Sequence, residues 1–152
     1  MTDLELGYMA GIFDGEGSLS ITSRPEGKGY KSPSHNMYGL SIQVSMKNRH
    51  VVEWIHNNFG GNAYRYRQNG GAFGKGFISV WSMTGSQAHN FLGLIVNLLI
   101  EKREQATIAL KFPLLDYGHN YGVTNHMQEV RESTYTELKD QKDMEREYNI
   151  DS

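Results

Sequence analysis

Hydrophobic and polar residues follow two different periods in the first part of the chain. Apolar residues recur at helical spacing over residues 4–14, whereas residues 18–24 and 39–47 alternate between apolar and polar. The pattern predicts one helix followed by two strands, each with one buried face. Residues 24–36, between the strands, hold glycine, proline and charged residues and are typical of a long hairpin tip.

The same two periods return in the following segment. Asn48 is suited to cap a helix over residues 49–59, which two glycines end. Alternating residues then predict strands over residues 62–68 and 77–83, and two further helices precede Pro113. The predicted order is helix, two strands, helix, two strands, two helices. This order defines an α+β domain whose sheet is covered by helices on one face.

The last part of the chain differs in composition from the rest. From residue 116 onward the chain is acidic, and its apolar residues are too sparse to predict a packed helix. We therefore expect one domain over residues 1–115 and an acidic extension over residues 116–152. The extension is expected to be either a loosely docked helix or a solvated tail.

Composition narrows the class of protein. A length of 152 residues with 38% hydrophobic residues is typical of one soluble globular domain. No apolar run approaches the roughly 20 residues of a membrane span, and the amino terminus lacks the basic start of a secretory signal. We therefore expect an intracellular protein of the cytoplasm, nucleoid or an organelle. The chain has no cysteine, so any metal must be held by oxygen or imidazole ligands.

The net charge of -2 hides an uneven distribution along the chain. Residues 1–16 carry a net charge of -4, residues 17–111 carry +7, and residues 112–152 carry -5. A basic middle segment is compatible with a polyanionic partner such as nucleic acid. The charge of ordinary protein surfaces varies this much, so charge alone does not assign a nucleic-acid partner.

Small residues form one stripe of the first predicted helix. Glycine inside a helix costs about 1 kcal/mol relative to alanine, so two glycines at spacing i, i+4 need a reason. A stripe without large side chains lets a second backbone approach closer than the usual 8–10 Å between helices. The stripe consists of Gly7, Ala10, Gly11 and Asp14.

A family resemblance is carried by residues 7–18, which read GYMAGIFDGEGS. This run closely resembles the motif of the LAGLIDADG homing endonucleases, in the variant that ends in DGEGS. Residues 64–67 are similar to the third DNA-reading strand of that family, and residues 97–106 are similar to its late helix-turn-helix segment. The resemblance covers about residues 4–113 in the right order. It implies an αββαββα fold with an antiparallel, saddle-shaped sheet and helices on one face.

The resemblance also assigns roles to residues near the end of the motif. It implies that the Glu16 carboxylate and the Gly15 carbonyl bind a divalent metal, and that Lys102 reaches the catalytic pocket, where a cation can stabilise transition-state charge. Oxygen ligands suit Mg²⁺, with Mn²⁺ as the alternative ion. Asp14 is expected to order the end of the helix.

Two positions leave the catalytic assignment open. Close relatives often carry a polar or basic residue near the end of the second strand, where this chain has Met46. Lys47 and His50 are therefore the candidates to position the attacking water. Lys102 has an alternative interpretation as a solvated lysine in a helix turn.

One face of the predicted sheet is a candidate DNA-binding surface. Alternate residues along a β-ribbon can enter a major groove, where arginine bonds guanine, glutamine bonds adenine and hydroxyls bond either. The alternative is an ordinary solvated sheet face, and the two arginines of the third strand favour DNA. The candidate residues are Ser20, Thr22, Arg24, Ser41, Gln43, Ser45, Arg65, Arg67 and Gln68.

The single motif copy corresponds to one half of a symmetric site. The resemblance therefore implies a homodimer whose motif helices pack together, with the acidic extensions on the outer surface away from DNA. The implied function is a site-specific homing endonuclease that makes a double-strand break in a long pseudo-palindromic DNA duplex. Two other functions on the same fold stay open: a splicing maturase that binds intron RNA, and a DNA-binding regulator without catalysis.

Overall fold

The computed structural model of this protein describes residues 1–25, 36–70, 74–114 and 125–151. The predicted hairpin tip lies largely outside these ranges. In chain order the elements are helix α1 (Asp3–Glu16), strands β1 (Gly17–Pro25) and β2 (Asn36–Met46), helix α2 (Arg49–Phe59), strands β3 (Asn62–Asn69) and β4 (Lys75–Thr84), and helices α3 (Gly85–Ile95), α4 (Arg103–Ala109) and α5 (Asn125–Asp151). The predicted α+β class and the αββαββα order are confirmed.

The four strands form one antiparallel sheet in the order β1-β2-β4-β3. Residues directly opposite each other on neighbouring strands point to the same face, so the register assigns every row of side chains to a face. The row of Leu19, Ile42 and Met83 is buried, whereas Ser18 and Gln43 in the next row are exposed. The helices therefore cover one face of the sheet, as predicted, and we call the other the uncovered face.

An aromatic cluster joins the helix layer to the covered face. The ring of Phe91 in α3 lies 5.9 Å from that of Phe13 in α1, 5.4 Å from Phe59 in α2 and 5.0 Å from Trp81 in β4. The Trp81 indole N–H also donates a 2.7 Å hydrogen bond to the Gly60 carbonyl, which satisfies the polar group of a fully buried side chain. These contacts fix α1 relative to the sheet.

The helix caps agree only partly with the sequence. Asn48 caps α2 as predicted, because its side chain accepts a hydrogen bond from a backbone N–H of the first turn. The pair Thr84 and Gln87 predicts a capping box for α3, and this is wrong, since the Thr84 side chain makes no capping bond. A full capping box is instead present at the start of α1, between Thr2 and Glu5.

The acidic extension contains a helix that is docked on the domain. In α5, Arg131, Thr134 and Leu138 are buried. The Arg131 guanidinium donates a 3.1 Å hydrogen bond to the Pro113 carbonyl and lies 4.9 Å from the centre of the Phe112 ring. Of the two forms expected for the extension, the described part is therefore a helix with one buried face. None of the helices in the described ranges is long and apolar enough to cross a membrane.

Candidate active site and nucleic-acid interface

Asp14 fixes the carboxyl end of α1. Its two carboxylate oxygens accept hydrogen bonds from the backbone N–H groups of Ile100, at 2.8 Å, and of Lys102, at 3.0 Å. Hydrogen bonds to a charged acceptor are roughly twice as strong as those between neutral groups. Asp14 therefore holds residues 100–102 against the helix, which is the ordering role that the sequence predicts for it.

Gly17 makes the turn from α1 into β1 possible. A Cβ atom at this position would lie 2.5 Å from both a ring carbon and the carbonyl oxygen of Phe13, which is closer than such atoms approach in proteins. Because glycine has no side chain, the Gly17 N–H donates to that same carbonyl and closes the helix. Glu16 is therefore held at the junction between the helix layer and the sheet.

The residues at this junction fit an oxygen-bound divalent metal. Glu16 and Gly15 lie in the last turn of α1, and both are exposed. Carbonyl groups in the last turn of a helix lack partners within the helix, so carbonyl and carboxylate oxygens are available together. Over the described ranges, no three His, Cys, Asp or Glu side chains cluster as a metal site. A metal at Glu16 would take its other ligands from water, phosphate or a second copy of the chain.

Lys102 lies at the same end of α1. Its ammonium group donates a hydrogen bond to the Asp14 carbonyl, where the helix dipole places partial negative charge. The side chain is half-buried and lines a cleft of about 240 Å³ between the start of β1 and α5. The role of Lys102 in the catalytic pocket stays a prediction.

A second lysine lies in this cleft, and the sequence does not predict it. Lys142 of α5 donates a hydrogen bond from its ammonium group to the Leu19 carbonyl in β1. Burial lowers the pKa of Lys142, and the neighbouring positive charges of Arg146 and Lys102 lower it further, while Glu145 opposes the shift. The acidic composition of the extension hides this residue, because only the docking of α5 brings it to β1.

The candidates at the end of β2 are both accessible. Met46 packs against the core, whereas Lys47 is exposed in the bend that follows. His50 lies in the first turn of α2, where its Nδ1 atom is 3.7 Å from a carboxylate oxygen of Glu53. The positioning of water by Lys47 or His50 stays a prediction.

The uncovered face of β1 and β2 carries small polar side chains in paired rows. Ser18 pairs with Gln43 and Ser20 pairs with Ser41 in the register. The Thr22 hydroxyl donates a 3.2 Å hydrogen bond across the strands to the Gly39 carbonyl. The register confirms the predicted face for Ser20, Thr22, Ser41, Gln43 and Ser45. Arg24 pairs with Met37 through the backbone, and its side chain lies outside the described residues.

The prediction that Arg65 and Arg67 share this face is wrong. In β4, Phe77 and Ser79 point to the same face as Trp81, which packs against α3 on the covered face. Arg67 is opposite Phe77 and Arg65 is opposite Ser79, so both arginines lie on the covered face. The Arg65 guanidinium carbon lies 4.2 Å from the centre of the Phe77 ring, a cation–π contact. The two arginines are nevertheless exposed, and β3 is an edge strand of the sheet.

Aromatic and amide side chains of β3 occupy the uncovered face instead. In β4, Ile78 and Val80 point to the same face as Ser82 and Thr84, which is the uncovered face. Tyr64 is opposite Val80 and Tyr66 is opposite Ile78, so both tyrosines lie on that face. The two tyrosines are 53% and 43% exposed, with ring centres 6.5 Å apart. Gln68, as predicted, lies on the same face. No signal within β3 distinguishes its faces, because both alternating sets of residues are largely exposed.

The small-residue stripe of α1 divides between the core and the surface. Gly7 and Gly11 are exposed, and a Cβ atom added to either would meet no described atom within 4 Å, apart from the neighbouring backbone of α1. The sequence predicts Ala10 on the same surface, but it is only 2% exposed and belongs to the core. Asp14, the last residue of the stripe, is half-buried and bound to residues 100–102. The free surface therefore comes mainly from the two glycines, with Leu4 beside them, 85% exposed.

Comparison with known proteins identifies the fold. No protein-family profile matches the chain, and no curated protein is similar to it in sequence. Solved structures do match. The archaeal intron-encoded homing endonuclease I-Vdi141I, complexed with DNA, has a TM-score of 0.64 and 20% identity over 91% of this chain and 84% of that chain.

Two further structures agree with this match. The homing endonuclease I-CvuI, in complex with its target in the presence of 2 mM Ca, has a TM-score of 0.56 and 19% identity over 72% of this chain and 65% of that chain. The LAGLIDADG homing endonuclease I-GzeII, in complex with its DNA target, has a TM-score of 0.52 and 14% identity over 88% of this chain and 43% of that chain. The chain thus spans just under two thirds of that I-CvuI chain and less than half of I-GzeII.

These similarities establish the fold at low sequence identity. The chain has the LAGLIDADG homing endonuclease fold, which is the fold that the resemblance of residues 7–18 implies.

Proposed function

We propose that this protein is a site-specific homing endonuclease that makes a double-strand break in a long, pseudo-palindromic DNA target by divalent-metal-dependent phosphodiester hydrolysis. The observation that carries the proposal is the position of Glu16, which ends α1 directly before β1, a strand whose uncovered face is polar. The solved structures of the same fold are homing endonucleases bound to DNA, which supports the same class of ligand for this chain.

The end of α1 provides the groups that such a reaction needs. The Glu16 carboxylate and the Gly15 carbonyl would hold Mg²⁺, with Mn²⁺ as the alternative. A bound divalent ion supplies an activated water molecule and offsets negative charge on the phosphate. Lys102, held against the Asp14 carbonyl, places a further positive charge beside the reacting phosphate. Lys47 or His50 orients the attacking water.

A homodimer would complete the site. One chain contributes one Glu16, whereas the cutting of both strands needs two such centres. The exposed stripe of Gly7 and Gly11 allows a second copy of α1 to approach closely, and exposed Leu4 adds apolar surface to that contact. A two-fold axis along this stripe brings the two Glu16 residues together and makes the target pseudo-palindromic.

The uncovered face would read the bases of each half-site. Its hydroxyl and amide groups suit base edges in the major groove, and Tyr64 and Tyr66 suit apolar contacts such as the thymine methyl group. Among the strand residues whose side chains are described, this face carries no lysine or arginine. Attraction to the phosphate backbone must therefore come largely from cations outside the face, including those beside α1.

The test is cleavage of a randomised duplex library by the full-length protein in Mg²⁺, followed by sequencing of the cut ends. Parallel reactions use Ca²⁺ in place of Mg²⁺, and the Glu16→Gln variant in Mg²⁺. We expect a pseudo-palindromic consensus that is cut only when both Mg²⁺ and Glu16 are present.

Two other results would replace the proposal. Enrichment of a bound sequence without cutting in any metal would identify a DNA-binding regulator. Failure to bind duplex DNA, together with binding and splicing of intron RNA that the Glu16→Gln variant retains, would identify a maturase.

A further inference from the structure

The cleft beside α1 is formed by three parts of the chain that are distant in sequence. Its walls come from the first residues of β1, from the loop and helix α4 around Lys102, and from the last turns of α5. The β1 wall begins at Gly17, the residue that follows Glu16. The cleft therefore adjoins the residue that we propose as the metal ligand. Its lining residues on α5 are Lys142, Glu145, Arg146 and Asn149.

Specific contacts hold α5 against this cleft. The Gln105 side-chain amide of α4 donates a 2.5 Å hydrogen bond to one carboxylate oxygen of Glu145, and the Lys142 ammonium group donates to the Leu19 carbonyl of β1. The other oxygen of Glu145 accepts a 3.0 Å bond from Gln141 within α5. One turn before Lys142, Leu138 is buried in the core. The last turns of α5 are thus fixed by packing and by hydrogen bonds, and Lys142 reaches β1 from a defined position.

The cleft holds two lysines that form no ion pair with carboxylates of the described residues. The ammonium groups of Lys102 and Lys142 each donate to a backbone carbonyl, and neither forms an ion pair within the described ranges. The carboxylate of Glu145 is engaged by two neutral amides. Arg146, the third cation, has an exposed partner in Asp143 at 3.3 Å. Bringing cations together in a half-buried cleft is unfavourable unless an anion shares them.

We propose that this cleft binds a phosphate of the DNA backbone beside the cleaved bond, and that Lys142 of α5 contacts that phosphate together with Lys102. The choice of DNA as the source of the phosphate rests on the proposed nuclease function. The acidic extension is then part of the binding site, and the expectation that it lies away from DNA is replaced.

The variants must separate the charge of Lys142 from its structural contact with β1. Lys142→Gln removes the charge and keeps a donor for the Leu19 carbonyl, whereas Lys142→Arg keeps the charge. Lys139→Gln is the matched control, because Lys139 is exposed on the same helix. Thermal melting of each full-length variant verifies that α5 stays docked.

The first measurement is the affinity for the library-selected target in Ca²⁺ over a range of salt concentrations. The logarithm of the association constant falls linearly with the logarithm of the salt concentration, and the slope becomes shallower by about 0.9 for each DNA phosphate that the protein no longer neutralises. Because Lys102 still contacts the phosphate, we expect a decrease of up to this size in Lys142→Gln, with slower single-turnover cutting in Mg²⁺. We expect wild-type slopes in Lys142→Arg and Lys139→Gln. A wild-type slope and rate in a folded Lys142→Gln variant would overturn the proposal.

A second measurement keeps the test separate from the nuclease proposal. If the wild-type protein neither binds nor cuts duplex DNA, the proposed function fails, and the cleft is titrated with inorganic pyrophosphate in the free protein. The backbone amides of Gly17 and Ser18, which line the cleft, report binding by NMR. Saturable shifts in the wild type that Lys142→Gln abolishes would support a phosphate site. Their absence from the wild type, or their persistence in Lys142→Gln, would overturn it.

Discussion

The carboxyl end of α1 and the edge strand β3 both supply residues predicted to act on DNA, and they differ in how their positions are determined. Glu16 ends a helix that Gly17 closes and that Asp14 ties to residues 100–102. The side chains of β3 point to one face or the other according to how that strand pairs with β4. The end of a helix therefore places the first group, and the register of a strand pair places the second.

The difference explains which predictions from the sequence are correct. A shift of one residue in a strand exchanges its two faces, so alternation alone identifies two sets of residues without assigning them to a face. In β3, the positive charge of Arg65 and Arg67 favours them as the DNA-facing set, but the register gives that face to Tyr64 and Tyr66. At the end of α1, no such choice exists.

The largest expected effect concerns Glu16. If the end of α1 is the catalytic centre, Glu16→Gln should reduce the single-turnover cutting rate by at least about 100-fold, the upper range seen when groups that only support a metal ligand are removed. Affinity for the target in Ca²⁺ should stay near that of the wild type. Glu101→Gln, which alters an exposed acid near Lys102, is the control. Wild-type cutting by Glu16→Gln would show that the end of α1 is not the catalytic centre.

The next effect concerns the clamp that fixes this helix end. Asp14→Asn weakens the hydrogen bonds to the backbone of Ile100 and Lys102, so we expect the free energy of unfolding to fall by about 1–3 kcal/mol. Urea denaturation of the variant measures the change, and Glu101→Gln again serves as the control. An unchanged unfolding free energy would mean that the end of α1 is held by packing instead of by Asp14.

A paired substitution tests the assignment of faces in β3. Tyr66→Ala, on the uncovered face, should relax the preference for particular bases at one position of each half-site, by about 1–3 kcal/mol. Arg67→Ala, on the opposite face, should leave base preferences unchanged. It should weaken binding to all sequences by the same factor, which is smaller than the effect of Tyr66→Ala on the preferred base. Selection from the duplex library measures both preferences. Relaxed base preference in Arg67→Ala alone would contradict the assignment.

The smallest effect is expected at the other end of α1. Hydrogen bonds from the Thr2 backbone and hydroxyl hold the pKa of Glu5 below its usual value. A lowered pKa means that ionised Glu5 favours folding above its unfolded pKa, and that this contribution is lost as the pH falls through the folded value. The difference in unfolding free energy between wild type and Glu5→Ala should therefore shrink between about pH 5 and pH 3. A difference that is independent of pH would show that charge plays no part in this cap.

The sequence predicts most of the domain because its signals are local. Helix α2 begins and ends at the predicted residues, since a capping side chain precedes it and a glycine follows it. The sequence leaves two forms open for the extension because the buried face of α5 is only partly aliphatic. The stem of Arg131, the methyl group of Thr134 and the ring of Tyr135 supply much of the contact that Leu138 alone could not. A hydrophobicity pattern counts the first two of these residues as polar.

The strict alternation along β1 and β2 separates two kinds of mutational tolerance. Residues such as Leu19 and Ile42 are fully packed, so their replacement disturbs the core, whereas Ser18 and Gln43 beside them have no part in it. Substitutions at the second set can accumulate one at a time without passing through an unstable intermediate. If this face reads DNA as we propose, its base preferences can therefore change stepwise while the scaffold stays the same.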